Sequence, residues 1–355
     1  MTNDFQQFEK VRIKDIAEKA GVSVGTVDRV LHGRPNVSAK ARERIEKALQ
    51  ELNYQPNRFA SALASNKKYM FHAIMPSHET NSYWSEAELG LYDAVRELQD
   101  FNIYFSISCY DVYDINSYIN VLDQVLNNHP DGVVLVPQTE QATIDFCNQL
   151  TQKNIPFVFM DSNVSEIHPL SFLGQDSHMS GYFAARMLML EAKEDKEVAI
   201  FHFDIASPQQ NNRENGFKQF MKEKYPECKI KEVTLRPNPQ EIEEKLTLFF
   251  AQNPNIRLGC TFCSYSYLVG EFAIKHQMKQ IRLLGYDVLE RNIECMKKDI
   301  ISFLIAQHPW RQGYGCIDAL FNHIVMKKEI KSSYYMPIEL ITKENWEYYI
   351  KNGIL

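Results

Sequence analysis

The 355-residue chain has no uninterrupted apolar run near the ~18 residues that cross a bilayer, so no membrane span is expected. Its first ten residues, MTNDFQQFEK, lack a basic stretch followed by an apolar one, so no secretory leader is expected and a cytoplasmic protein is. The seven cysteines are odd in number and widely scattered, which speaks against a disulfide framework and for reduced thiols. Cys260-Thr-Phe-Cys263 has redox spacing, but it lies in a strand-like run with no helix start behind it to lower a thiol pKa. No second such pair exists and the ten histidines are dispersed, so no zinc site is expected. GYGC at 313–316 is not GxGxxG, and no phosphate-cradling loop is present. Asp161 and Asp287 could be imagined as an acid–base pair, but no nucleophile or metal cluster accompanies them. An enzyme is not expected, nor a cofactor.

What is present is uneven in charge. Residues 1–68 hold 13 Lys+Arg against 8 Asp+Glu, a net of +5, and the remainder holds 26 against 37, a net of −11. A basic head is drawn to polyanions and an acidic body avoids them, although so modest an excess is also what a solvated surface carries. At 45% hydrophobic the whole is a globular chain long enough for two or three packing units.

In the head, Ile13, Ile16, Ala17 and Ala20 recur at helical spacing, and Gly21 stops that helix where a left-handed residue is needed. Ser23 can cap a second helix with Val27, Val30 and Leu31 facing inward, and Ser38 a third through Ala41, Ile45, Ala48, Leu49 and Leu52. Two short helices around a tight turn make a helix-turn-helix shape. The outward start of the second helix carries Val24, Gly25, Thr26 and then Arg29, where a recognition helix meets base edges; a bidentate Arg–guanine contact gives about 1–3 kcal/mol of discrimination. Ser23 and Thr26 suit phosphate contacts, which orient without reading sequence. After Leu52, NYQPNRFASALASNKK offers a helix opened by Pro56 but too short to stand alone in water. Arg58, Phe59 and Leu63 fit a segment that folds in a minor groove and wedges a leucine into a base step; the plainer reading is a disordered tether.

Beyond residue 68 the runs YMFHAIMP, NIYFSISCY, DGVVLVP, PFVFMDS, EVAIFHF, LGCTFCS and IRLLGYD read as buried strands. Helical patterns lie between them at 85–99, 115–128, 140–153, 177–191, 213–224, 239–252 and 265–277. This alternation predicts parallel sheets with helices on both faces, where ligands collect at the carboxyl ends of strands. Polar residues gather at those ends: Asp161 after PFVFM, Asp287 after LLGY and Gln307 after IISFLIA, with Tyr83 and Trp84 in the loop after the first strand and Arg213 after the fifth. Rings that stack on apolar faces, with charged and amide groups that satisfy hydroxyls, are what a sugar-sized ligand needs.

Residues 11–64, through IKDIA…AGVS…TV.RVL and VS…R.R…A…LNY.PNR.A..LA, resemble without gaps the DNA-binding head of the lactose-repressor (LacI/GalR) family. The resemblance implies base reading by Val24, Gly25 and Arg29, backbone contacts by Ile13, Ser23, Thr26, Tyr54 and Asn57, and a minor-groove lever at Leu63. Asp28 stands where the family commonly has a serine near phosphate, an acid that needs a partner such as Arg29, Arg34 or Lys14, and Gly25 removes a side chain often used for readout. Residues 70–355 resemble, more loosely, the type I periplasmic-binding-protein fold shared with ribose-binding proteins, through DGVVLVP, IPFVFMDS, GQDSHMSGYFAARML, RENGF, LLGYD and AQHPWRQGY. That resemblance places Tyr83, Trp84, Asp161, Arg213, Asp287 and Gln307 in an effector cleft between two subdomains. Ser162 replaces a second charged residue, and CTFCSYSY lacks the usual Asn-Asp pair.

The expected architecture is α/β: a helix-turn-helix head (1–55), a hinge helix and linker (56–68), and two Rossmann-like parallel subdomains in 69–355, roughly 69–172 with 309–331 and 173–307 with 335–355. The expected function is sequence-specific transcriptional regulation, as a repressor of carbohydrate-utilisation genes in a bacterial cytoplasm. The expected partners are a pseudo-palindromic double-stranded DNA operator, a sugar-like effector and a second copy of the chain, in a homodimer or larger assembly, with no membrane. The rival expectations are a sugar-binding protein without a DNA role and a sugar-acting enzyme.

Overall fold

The structure is a computed structural model that describes residues 11–31, 34–52, 54, 58–63, 65, 67–192, 196–205 and 207–352. Asn57, expected at the DNA backbone, and Pro56, expected to open the hinge helix, lie outside the described residues. The chain divides into two compact units, residues 1–65 and 66–355.

The smaller unit holds α1 (Ile13–Ala20), α2 (Val24–Leu31), α3 (Ala39–Glu51) and α4 (Arg58–Leu63). Gly21 takes φ 63°, the left-handed conformation that ends α1 without a Cβ clash. The Ser23 hydroxyl accepts from the Thr26 amide at 3.2 Å and the Ser38 hydroxyl from the Ala41 amide at 3.3 Å, so both expected serines cap their helices. Ile16, Ala17, Ala20, Val27, Ile45 and Ala48 form the core, with Ile13, Val30, Leu31 and Tyr54 packed on its margin. The core of this unit is small, and α4, at six residues, is shorter than any helix stable by itself.

The larger unit contains two six-stranded sheets. The first is built from β1 (Tyr69–Pro76), β2 (Ile103–Tyr110), β3 (Gly132–Leu135), β4 (Phe157–Met160), β5 (Ser171–Gly174) and β11 (Ser333–Tyr335), in the order β11-β5-β4-β3-β1-β2. The second comprises β6 (Glu197–Phe203), β7 (Lys229–Leu235), β8 (Leu258–Cys260), β9 (Arg282–Tyr286), β10 (Ile301–Ala306) and β12 (Glu339–Ile341), in the order β12-β10-β9-β8-β6-β7. Every pairing is parallel except β12 against β10. The intervening helices are α5 (Tyr83–Glu97), α6 (Ile115–Asn127), α7 (Glu140–Gln152), α8 (Ser177–Leu188), α9 (Pro208–Lys224), α10 (Pro239–Gln252), α11 (Ser266–Lys275), α12 (Glu290–Lys297), α13 (Pro309–Ile324) and α14 (Trp346–Asn352). The inner strands β3 and β4 are apolar and buried throughout, as strands covered on both faces must be.

The chain crosses between the sheets three times, after β5, after β10 and between β11 and β12. Gln175, buried at the first crossing, donates its amide at 2.7 Å to the carbonyl of Ala306 at the second and at 2.7 Å to that of Pro337 at the third. One side chain thus ties all three strands of the hinge. Two helix pairs pack backbone to backbone through glycine. A Cβ on Gly181 of α8 would lie 1.8 Å from the Arg213 carbonyl oxygen of α9, and one on Gly216 of α9 would lie 1.9 Å from that of His178. Gly90 of α5 and Gly313 of α13 meet the facing helix in the same way, at 2.1 Å each.

Candidate ligand cleft and nucleic-acid face

The carboxyl ends of both sheets open onto one cavity of about 720 Å³, lined from the first sheet by Tyr83, Trp84, Tyr110 and Asp161 and from the second by Arg213, Phe262, Asp287 and Gln307. All six cleft residues expected from the sequence line it. Tyr83 and Trp84 are not in a loop, however. Ser82 and Ser85 cap each other reciprocally, so α5 begins at Tyr83 and both rings stand on its first turn, edge to face at 4.8 Å. Arg213 likewise lies in the second turn of a helix that starts at Pro208, not at its beginning. The Ser207 hydroxyl caps the Gln210 amide and Pro208 occupies the first helical position, where its missing N–H costs nothing.

Asp161 and Asp287 follow β4 and β9 with φ of 67° and 71°. This left-handed conformation is uncommon for a residue with a side chain, and aspartate is one of the few that tolerates it. Both carboxylates are buried. Asp161 Oδ1 accepts from the Tyr83 hydroxyl at 2.6 Å and from the Gln209 amide at 2.6 Å, and the Ser162 hydroxyl donates to Oδ2 at 3.3 Å. Gln209 also donates to the Gln307 side-chain oxygen at 3.1 Å, and the Gln307 amide donates to Asp287 at 2.7 Å. Arg213 donates to the same Gln307 oxygen and, at 2.9 Å, to the Phe262 carbonyl, with its guanidinium 4.1 Å over the Tyr286 ring. The chain Tyr83–Asp161–Gln209–Gln307–Asp287, braced by Arg213, therefore runs across the cleft from one sheet to the other.

Gln209 was not expected from the sequence. The signal was Ser207-Pro208, a cap followed by a first-turn proline; moving the helix start back from 213 places Gln209 and Arg213 four apart on one face.

Burial dominates the electrostatics. It pushes the Asp287 carboxyl up to about 7 against the pull of Arg213 and the Gln307 hydrogen bond, and it raises Asp161 against Arg213, Tyr83, Gln209 and Ser162. For Asp287 the folded chain holds a proton that the unfolded chain releases near its ordinary value of 3.8. The burden of ionising it therefore grows from pH ~4 and is complete above pH ~7. The cleft is charged at some cost to the fold, a pattern typical of functional sites.

The CxxC segment also departs from its reading. β8 ends at Cys260 and α11 begins at Ser266, so Cys263 lies between strand and helix. Burial nevertheless pushes the Cys263 thiol up to about 12 and Cys260 well above its usual value, which disfavours the thiolate. Among the described residues no group of three or more His, Cys, Asp or Glu could hold a metal, and no helix is long and apolar enough to cross a membrane.

On the smaller unit, Val24, Gly25 and Arg29 are exposed along one side of α2, and Val24 is 51% accessible. Thr26 is half-buried, its hydroxyl 2.9 Å from that of Ser23. Asp28 faces Arg34 at 3.4 Å, one of the three cations considered for it. Ile13 and Tyr54 are half-buried against the head core, and Leu63 of α4 is 49% exposed.

Comparison with known proteins decides the family. A profile of bacterial regulatory proteins of the lacI family matches residues 12–57, and one of periplasmic binding protein domains matches 72–329. A crystal structure from Bacteroides fragilis, described as that of a candidate LacI transcriptional regulator, is 42% identical to 80% of this chain and 100% of its own, with a TM-score of 0.78. The chain belongs to the lacI family of bacterial regulatory proteins. Among other LacI-family relatives, the HTH-type transcriptional regulator DegA of Bacillus subtilis is 27% identical over 60% of this chain and 61% of its own length. Catabolite control protein A of Staphylococcus aureus is 30% identical over 44% of this chain and 46% of its own. The alignments thus span about half to three-fifths of these curated relatives. The glucose-galactose binding protein GanP of Geobacillus stearothermophilus, at 22% identity and a TM-score of 0.69 over 79% of this chain and 99% of its own, shares the fold of the larger unit.

Proposed function

We propose that this LacI-family chain is a sequence-specific DNA-binding transcriptional regulator, a repressor of carbohydrate-utilisation genes, controlled by a small sugar-like effector in the cleft between its two sheets. The observation that carries this reading is the presence in one chain of a helix-turn-helix face with an exposed Arg29 and a cavity whose buried carboxylates, amides and aromatic rings suit a polyhydroxylated molecule. The relatives named above as regulators support the class, and no catalytic step is assigned to the cleft.

In this reading residues 1–55 are the DNA-binding domain, 56–68 the hinge and 69–355 the effector and dimerisation domain. Val24, Gly25 and Arg29 read bases, Ile13, Ser23, Thr26, Tyr54 and Asn57 hold the backbone, and Leu63 enters the minor groove. Tyr83, Trp84, Asp161, Arg213, Asp287 and Gln307 hold the effector. Two heads, paired through the bodies, read a pseudo-palindromic operator in the cytoplasm. Closure of the cleft about the Gln175 hinge changes the separation of the two hinge segments.

The test is selection of DNA sites by the full chain, followed by Arg29→Ala. That substitution is expected to weaken the selected site by about 10- to 200-fold, the value of a bidentate base contact, while non-specific DNA binding falls far less. Failure to enrich any site at low salt would refute the reading. An equal loss on all DNA would remove Arg29 from base recognition.

A further inference from the structure

We infer that the cleft selects an uncharged, hydroxyl-rich ligand over its phosphorylated or carboxylated counterparts, and that the Gln209 amide holds the Asp161 carboxylate in the place a ligand hydroxyl takes. This rests on the reading of the cavity as the effector site and specifies the chemical class it admits.

Five carboxylates line the cavity against two guanidiniums. Neither guanidinium is disposed to receive an anion. Arg291 is already held by both oxygens of Glu271, at 2.8 and 2.6 Å, and stacks 3.8 Å over the Tyr267 ring. Arg213 spends one terminal nitrogen on the Phe262 carbonyl and the other on Gln307, and its flat face covers Tyr286. Only its Nε is left without a hydrogen-bond partner, a single donor suited to one neutral acceptor and not to the fork that a phosphate or carboxylate engages.

Helix starts are the other common anion sites, and two of them border the cavity. Their first turns are already engaged: the Ser82 hydroxyl takes the Ser85 amide, the Ser207 hydroxyl takes the Gln210 amide, and Pro208 has no N–H to offer. The acceptors, by contrast, are abundant and buried. Asp161 and Asp287 face the cavity from the two sheets, and the donors now satisfying them are neutral, a phenol and two carboxamides. Ligand hydroxyls replace such donors one for one, whereas an anion would meet two buried carboxylates with no free cation between them. The upward displacement of both carboxyls shows that the site is already short of positive charge.

The experiment uses the full chain and follows thermal unfolding, then calorimetric titration. The uncharged probes are D-glucose, D-galactose, D-xylose, L-arabinose and their alditols. The anionic probes are glucose 6-phosphate, galactose 6-phosphate, glucuronate and galacturonate. At least one uncharged probe is expected to raise the melting temperature and to bind about 10- to 50-fold tighter than its anionic counterpart, as one added like charge a few ångströms away requires. In Asp287→Asn that ratio is expected to narrow by about tenfold, whatever the absolute affinity. An anionic probe binding as tightly as its neutral parent, or a ratio unmoved by Asp287→Asn, would overturn the charge selection and leave the effector site standing. No response to any probe would overturn the effector reading and this inference with it.

Discussion

Arg213→Met is expected to lower the unfolding free energy at pH 8 by about 3–5 kcal/mol and to abolish any stabilisation by ligand. The side chain is fully buried, its carbonyl and side-chain partners are fixed, and its charge is the nearest compensation for Asp161 and Asp287. Methionine matches much of its volume, so the loss reports charge and hydrogen bonding more than an empty space. The pH profile is the signature. Without the guanidinium both carboxyls rise further, and the unfolded chain still ionises near pH 4, so the penalty is greatest above pH 7 and shrinks toward pH 5 as the folded-state carboxyls take up protons. Denaturant unfolding at pH 5 and pH 8 checks this. An equal loss at both pH values would mean that Arg213 serves packing and not the charge of the cleft.

Gly181→Val is expected to cost about 3 kcal/mol or more and to weaken ligand binding with it. The added Cβ would have to occupy the position of the Arg213 carbonyl oxygen, 1.8 Å away, and a backbone atom cannot swing aside as the end of a side chain can. Relief requires α9 to move off α8, and α9 carries both Gln209 and Arg213. Packing between two helices thus sets the position of the ligand-facing groups. The contrasting substitution is Gly25→Ala on α2, where a Cβ would meet nothing nearer than the Ser23 hydroxyl at 3.9 Å. Helix propensity alone then applies, and a gain of about 0.5–1 kcal/mol in the stability of the smaller unit is expected. Equal tolerance at Gly181 and Gly25 would show that α8 and α9 do not pack through glycine.

Most of this architecture was legible because burial on two faces writes long apolar strands. YMFHAIMP and EVAIFHF could be little else, and the intervening helices fell within a few residues of their observed bounds. The strands missed are those for which that signal fails. β7, KIKEVTL, lies at a sheet edge and keeps its polar residues in water; β11 and β12 are three residues each; β5 has four and ends in glycine. Site residues at strand ends were legible for a related reason. A polar residue closing a buried strand, such as Asp161 or Asp287, cannot be part of the core and must have another use. Gln209 was hidden because its value depends on where a helix begins, and the five residues before Arg213 were read as loop. Tyr83 and Trp84 were assigned to the right region for the wrong local structure, since the reciprocal caps Ser82 and Ser85 were not recognised. Even the acid in the recognition helix was only partly legible: three cations stood within reach of Asp28, and the turn after α2 brings Arg34 to it.

Both units matter only if ligand in the cleft and DNA on the head influence one another. The decisive measurement is a pair of titrations on the full chain, operator DNA affinity with and without saturating ligand and ligand affinity with and without saturating operator. Both ratios are expected to depart from unity, by about 5- to 150-fold, and to be equal, because the coupling free energy is a property of the pair and not of either site. Ligand that binds the cleft tightly while operator affinity stays unchanged would contradict the regulatory reading.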